Sequence, residues 1–360
     1  MTSELTQTNP QTQAIITADL LAMAGQAANK AAAAAAFGDY KPRKAGNTLK
    51  RQAADLASFE SFLAGVGLDV RGLVDNPQAW QGITWGLVAA FRGWLLQSGY
   101  AVSTVNFRLS TIKVYANLAT QAGALSAAEL GEIKRVPGFA HKEQKRIDTQ
   151  RQEQGNPTRK GSKKADSVSI TPAQAKSLKN RPDTPQGRRD SLLLCLLLDH
   201  GLRCGEVAAL KVTDFDLKAG ELRFYRPKVD KVQTHKLTPA TRRAAAAYFT
   251  SDAPALGSVW RASASKAAGK AAHDSGELAG SGLTERAITK RVKALGAAVG
   301  LACLSAHDCR HYWATQAARN HTALDRLQDA GGWNSLAMPA RYIESAKIAN
   351  EGINLGDSGD

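Results

Sequence analysis

Residues Leu192–Leu198 read "LLLCLLL", seven apolar side chains without a break. As a helix, such a run is apolar on every side and must be enclosed by other elements of the chain. It falls well short of the roughly 18 apolar residues that span a bilayer, and no longer run occurs. Its context, "GRRDSLLLCLLLDHGLRCGEVAAL", predicts a buried helix, a glycine turn and a shorter helix from Arg203. A chain of 360 residues exceeds what one core usually serves, which predicts two domains with a linker. Apolar content of 43% supplies cores of that size.

The N-terminal half is periodic without strand signals. "NTLKRQAADLASFESFLAGVG" places Leu49, Ala53, Leu56, Phe59 and Leu63 at helical spacing, with Asn47 or Thr48 as cap and Gly65 as end. A second helix carries Leu87, Phe91, Trp94 and Leu95 on one side. A third, capped at Ser103, turns Val105, Leu109, Ile112 and Ala116 inward. These predict an all-α domain over 45–140. Before it lies an Ala-rich arm, 1–44, with a helix expected over about Ala18–Phe37. After it, 141–168 is polar, mostly basic and without apolar period, and reads as a solvated linker that also tracks phosphates. From 169 the pattern mixes: a helix capped by Thr171, the buried helix, a hairpin from "GELRFY" and "RPKVDKVQTHKLTP", then helices to about 345. The expected fold is mostly α in two domains, the second a mixed α/β, mainly helical domain with one small antiparallel sheet. Residues 346–360 form a tail.

The net charge of +15 predicts a polyanionic partner, nucleic acid before an anionic membrane. The start, "MTSELTQTNP", lacks the basic opening of a secretory signal. Cys195, Cys204, Cys303 and Cys309 include no C-x-x-C pair, so no zinc site is expected and a reducing cytoplasm fits.

"SAHDCRHYWAT" gathers His307, Arg310 and His311 on about one turn of helix, where they repel unless an anion is bound. In "GLRCGEVAAL", Arg203 can pair with Glu206 at i,i+3. "AGGWNSLAMPARYIES" adds Trp333 and Tyr342. Taken singly, each has an ordinary structural explanation. Their order does not: "GLRxGE", a basic hairpin, H-x-x-R, a Trp after a Gly pair, then a Tyr nine residues later.

This constellation resembles the tyrosine recombinase (phage integrase) family, most of all its Cre-like members, which carry "GGW" where others have Gly-His. The resemblance covers about 169–350 and extends more weakly to the helical domain, which is similar to the family's core-binding (SAM-like) domain. It implies that the anion is a DNA phosphodiester exchanged for a 3′-phosphotyrosine, with strands passed between two sites through a Holliday junction. Arg203 and Arg310 would clamp non-bridging oxygens. His307 and Trp333 would donate to the same phosphate, Trp333 only as an N–H donor. Tyr342 would be the nucleophile, its phenolate favoured by the two Arg cations and His307. A hairpin lysine would protonate the 5′ leaving oxygen. Lys231, eight residues before Pro239, is preferred, and Lys228, nearer the commoner distance from Arg203, is the alternative. Glu206 would hold Arg203 or a neighbouring group in place, and His311 would orient rather than react. Cys309 stands where the motif usually has Leu, and serves as a small buried apolar group.

No cofactor is implied: one phosphoester is traded for another, there is no G-x-x-x-x-G-K-[ST] loop, and no Asp/Glu cluster for metals. The implied assembly is a homo-tetramer on two double-stranded DNA target sites, a monomer when free. The two domains would clamp the duplex, and the tail, through Ile348, Ile353 and Leu355, would dock on a neighbouring protomer or on its own domain. Lys50, Arg51, Arg108 and Lys113 are the expected DNA contacts of the helical domain. A cytoplasmic bacterial protein, associated with nucleoid, plasmid or phage, is expected. The lack of an extra arm-type domain before residue 40 favours a simple, Cre-like system. Rival readings are a type IB topoisomerase-like relaxing enzyme and a DNA-binding relative without catalysis, the latter disfavoured because each core position is filled.

Overall fold

The computed structural model describes residues 10–161, 167–264 and 275–346. The chain forms two units, residues 1–163 and 164–360.

The first unit is all helical: α1 (Pro10–Tyr40), α2 (Gly46–Gly65), α3 (Trp85–Gln97), α4 (Val102–Gln121), α5 (Ala127–Arg135) and α6 (His141–Glu153). Leu56, Phe59 and Leu63 of α2, Phe91 and Leu95 of α3, and Val105, Leu109, Ile112 and Ala116 of α4 are buried together. These are the periodic positions of the sequence, since i, i+3, i+4 spacing puts them on one face. Two caps differ from expectation. Helix α2 starts after Ala45 and α4 after Ala101, neither with a side-chain cap, so Asn47, Thr48 and Ser103 lie inside the helices. Extended backbone at those alanines stops the helix, and burial of its apolar face holds it in place.

Helix α1 is longer than expected at both ends. Leu20, Leu21 and Met23 are exposed, and the helix is anchored at its end, where Phe37 and Tyr40 meet Tyr115 edge-to-face at 5.8 and 5.7 Å. The basic stretch after 140 is helical over His141–Glu153 instead of irregular. Glu143 accepts the backbone N–H of Ala140, and Arg151 donates to the carbonyls of Leu96, Tyr100 and Thr158. Polar contacts hold this helix, which is why no apolar period announces it.

The second unit contains α7 (Pro172–Lys179), α8 (Pro185–Asp199), α9 (Cys204–Ala208), a three-stranded antiparallel sheet, α10 (Pro239–Ser251), α11 (Glu285–Ala297), α12 (Ala306–Arg319), α13 (Leu324–Gly331) and α14 (Ala337–Ala346). Thr171 caps α7 as expected, and Gln174 completes a capping box with it. All seven residues Leu192–Leu198 are buried at the centre of this unit's core. The sheet runs β1 (Phe215–Asp216), β2 (Glu221–Arg226), β3 (Lys231–Lys236), with Arg226 opposite Lys231 across the turn. A second, separate two-stranded ladder pairs β4 (Ala262–Ser263) with β5 (Leu278–Ala279), beyond the one sheet expected. Its strands are too short for alternation to register. The molecule is mostly helical with small antiparallel sheets. Among the described residues no helix is long and apolar enough to cross a membrane. The tail readings on Ile348, Ile353 and Leu355 lie outside the described residues.

Candidate active site

The site is organised around the C-terminal end of α13. A helix ends with carbonyls that no N–H of its own satisfies, at the negative end of its dipole. Here those oxygens take three guanidinium groups. Arg203 donates to the Gly332 carbonyl at 3.0 Å. Arg310 donates to that of Gly331, and to Gly201 at 2.5 Å. Arg226 donates to Gly331 at 3.1 Å and to Ala330 at 2.7 Å. Both glycines of "GGW" are required by this geometry. Gly332 has φ +59°, and a Cβ on it would fall 2.6 Å from Cδ of Arg226. A Cβ on Gly331 would fall 2.0 Å from the Trp333 ring.

Arg203 precedes the short helix α9. Its backbone N–H donates to Oε2 of Glu206 and its Nη1 to Oε1, both at 2.8 Å. The same carboxylate accepts from Nη1 of Arg226 at 3.0 and 3.2 Å. Glu206 thus ties two arginines together, Arg203 and its neighbour Arg226. Arg226 is fully buried, and burial lowers its pKa with Arg203 adding to the effect and Glu206 opposing it.

Arg310 comes from α12, whose start is fixed by Ser305 and Asp308. The Ser305 N–H and hydroxyl donate to one Asp308 oxygen, and the Val168 N–H donates to the other. Arg310 is buried, and its pKa is pushed down to about 9 by burial, then by Arg203 and Arg226. Its guanidinium lies 4.5 Å over the Trp333 ring, a cation–π contact. From Trp333 a chain of rings runs outward: Tyr342 at 5.6 Å, then His311 at 5.1 Å from Tyr342, then His307 at 4.7 Å from His311. Trp313 stacks behind Trp333 at 6.1 Å. His307 is exposed, and the cavity beside His307, His311, Arg341 and Tyr342 measures about 550 Å³.

Tyr342, on α14, is buried at 5% exposure. Its phenol is pushed up by burial, against the downward pull of Arg310, Arg203 and Arg341. The arginines pull toward phenolate as expected, and in the free chain desolvation outweighs them.

Lys231 begins β3, and its Nζ lies 2.6 Å from Asp329 Oδ1 on α13. Lys228 is exposed in the preceding turn. Among the expected DNA contacts, Lys50 and Arg51 are exposed, Arg51 lying 5.3 Å over the exposed Phe107 ring. Arg108 is engaged internally, 2.7 Å from Ser58 Oγ and 3.7 Å from Asp55. Lys113 donates to the carbonyls of Lys134 and Val136 at 2.9 and 2.7 Å, and burial lowers its pKa. Cys309 is fully buried in α12. Arg226, Asp329 and Trp313 were not singled out in the sequence. For Arg226 a signal existed: it shares the strand face of Leu222 and Phe224, so alternation puts a cation on an apolar face.

Residues 169–348, half of the chain, match the model of the phage integrase family. The chain belongs to that family. As a phage integrase family member it is a tyrosine-type recombinase or integrase. A tyrosine recombinase XerC from Roseiflexus castenholzii (strain DSM 13941 / HLO8) is 26% identical over 299 residues, covering 82% of each chain. A second XerC, from Roseiflexus sp. (strain RS-1), is 28% identical over 176 residues, 48% of this integrase-family chain and 46% of the relative. In fold the chain is similar to the Tn1549 transposon integrase in complex with transposon right end DNA, with TM-score 0.57 and 13% identity over 86% of this chain and 94% of that one. It is likewise similar to a lambda integrase dimer bound to a COC′ core site, with TM-score 0.54 and 13% identity over 87% and 94%.

Proposed function

We propose that the chain is a site-specific DNA recombinase acting through a covalent 3′-phosphotyrosine. The observation that carries this is the gathering of Arg203, Arg310, Trp333 and Tyr342 at one helix end, with His311 and His307 continuing outward. Guanidinium forks suit the non-bridging oxygens of a phosphoryl transition state, whose charge is spread over them. In the reaction Tyr342 Oη bonds to phosphorus and its proton is lost to solvent. The bond from phosphorus to the 5′ oxygen breaks, and Lys231 gives that oxygen its proton. A 5′ hydroxyl from a second duplex then attacks the phosphotyrosine, which re-forms a phosphodiester and frees Tyr342. One such exchange leaves a Holliday junction and a second resolves it. Bond energy is kept throughout, so the reaction needs neither nucleotide nor metal.

The relatives' complexes with DNA support a double-stranded DNA partner, as does the net charge of +15. Exposed Lys50 and Arg51, with Phe107, are the proposed duplex contacts of 45–140; Arg108 and Lys113 shape that face from within. Strand exchange between two duplexes calls for four protomers, assembled from monomers on the DNA.

The test incubates wild-type protein and Tyr342→Phe with fragmented DNA of the source replicon, in EDTA and without ATP. A denaturing gel should show a protein–DNA adduct with wild type only, and sequencing the trapped DNA gives the target site. An adduct that survives in Tyr342→Phe would refute the assignment of the nucleophile.

A further inference from the structure

The hairpin lysine has a fixed neighbour. Lys231 Nζ lies 2.6 Å from Oδ1 of Asp329. Gln233, two residues along β3 and on the same face, donates to the Asp329 backbone carbonyl at 2.5 Å. The Lys231 hydrogen bond holds the Asp329 carboxyl below the usual range. Asp329 belongs to the last turn of α13, directly before Ala330, Gly331 and Gly332, whose carbonyls take the three arginines. The lysine and the phosphate clamp therefore share one anchor. At its other end β2 finishes on Arg226, opposite Lys231 and bound to the same turn. The flanks of the hairpin tip are thus moored to one helix end.

We propose that Asp329 is a positioning residue for proton donation by Lys231, holding the ammonium group in register with the arginine clamp. This rests on the recombinase reading above. Asp329 touches neither phosphate nor leaving group. The proton passes from Lys231 to the 5′ oxygen as the bond from phosphorus to that oxygen breaks, and the neutral amine is reprotonated from solvent. The pair is an exposed one, 53% and 67% for the two side chains, so its contribution to stability is small and its effect is on orientation.

The experiment measures single-turnover cleavage by the full-length protein of the site recovered by adduct trapping. Two duplexes are compared: the natural one, and one with sulfur replacing the bridging 5′ oxygen at the scissile phosphate. A thiolate leaves readily without a proton, so the second duplex bypasses the acid. Lys231→Ala should slow the oxygen duplex by about 10²-fold or more, the usual range for a general acid, and leave the sulfur duplex nearly unchanged. Asp329→Asn should slow the oxygen duplex by roughly tenfold, a partial loss of the same contribution, again sparing sulfur. Asp329→Glu should recover most of the rate. Melting temperatures are measured beside each rate, and unchanged values are expected. Equal slowing of both duplexes by Asp329→Asn, or no slowing, overturns the proposal and leaves the recombinase reading intact. A sulfur-rescued loss in Lys228→Ala but not in Lys231→Ala also overturns it. Failure of wild type on both duplexes refutes the recombinase reading itself.

Discussion

Arg226 presents no side-chain surface to solvent, yet it donates to Glu206 and to two carbonyls at the end of α13. A buried cation with those partners is costly to remove on one side only, because the groups it served stay behind unsatisfied. Arg226→Met should lower stability by about 3 kcal/mol, read as a shift in denaturant midpoint, since breaking a buried pair typically costs 3–5. Arg226→Lys should recover only part of this, as one ammonium group cannot reach both sides of the fork. At this scale the sequence is uneven in what it reveals. Arg203, Arg310, Trp333 and Tyr342 stand at motif spacings, and the structure brings them together. Arg226 and Asp329 belong to no motif: Arg226 meets the carboxylate of Glu206 and main-chain oxygens of Ala330 and Gly331, and Asp329 meets Lys231, 98 positions away. For the phenol of Tyr342 the letters give only half of the balance: the arginines' downward pull can be counted from charge, but the opposing desolvation needs the packing.

Helix α13 does more than support Trp333. Its last turn offers oxygens to Arg203, Arg226 and Arg310, and its left-handed end depends on Gly332. Gly332→Ala meets two penalties: a left-handed alanine costs about 1–2 kcal/mol, and the new methyl collides with Arg226. Loss of about 2 kcal/mol or more in thermal stability is expected, together with a sharp fall in adduct yield, because the displaced arginine also holds Glu206 and hence Arg203. Melting curves and the trapping gel read the two effects separately. Elements with one apolar face, such as α2 and α4, were legible because periodicity records burial directly. Their starts were not, since Ala45 and Ala101 stop the helices by backbone conformation alone. Helix α6 was invisible for the opposite reason. Its contacts are made by Arg151 to carbonyls, and they leave no apolar period.

For the whole molecule, charge is the property read most directly from the chain. With net charge +15, duplex binding should be dominated by release of condensed counterions. Fluorescence anisotropy with a labelled duplex should show affinity falling by about 10³-fold or more between 50 and 200 mM salt, as for proteins contacting six or more phosphates. A flat salt response would argue against an extended phosphate interface. The two-domain organisation followed from length and patterning, whereas the second small ladder, built from two-residue strands, had no pattern to follow. One feature of the site also bears on how such a chain ages over generations. Apart from the Glu206 carboxylate, its arginines are seated on peptide oxygens, which every amino acid supplies equally. No single codon change can delete those peptide acceptors, so drift wears down the seat by replacing the arginines or Glu206, or by adding bulk at Gly331 and Gly332. Apart from Asp329 and the buried Leu327, the letters of α13 can change as long as the helix still ends where it does.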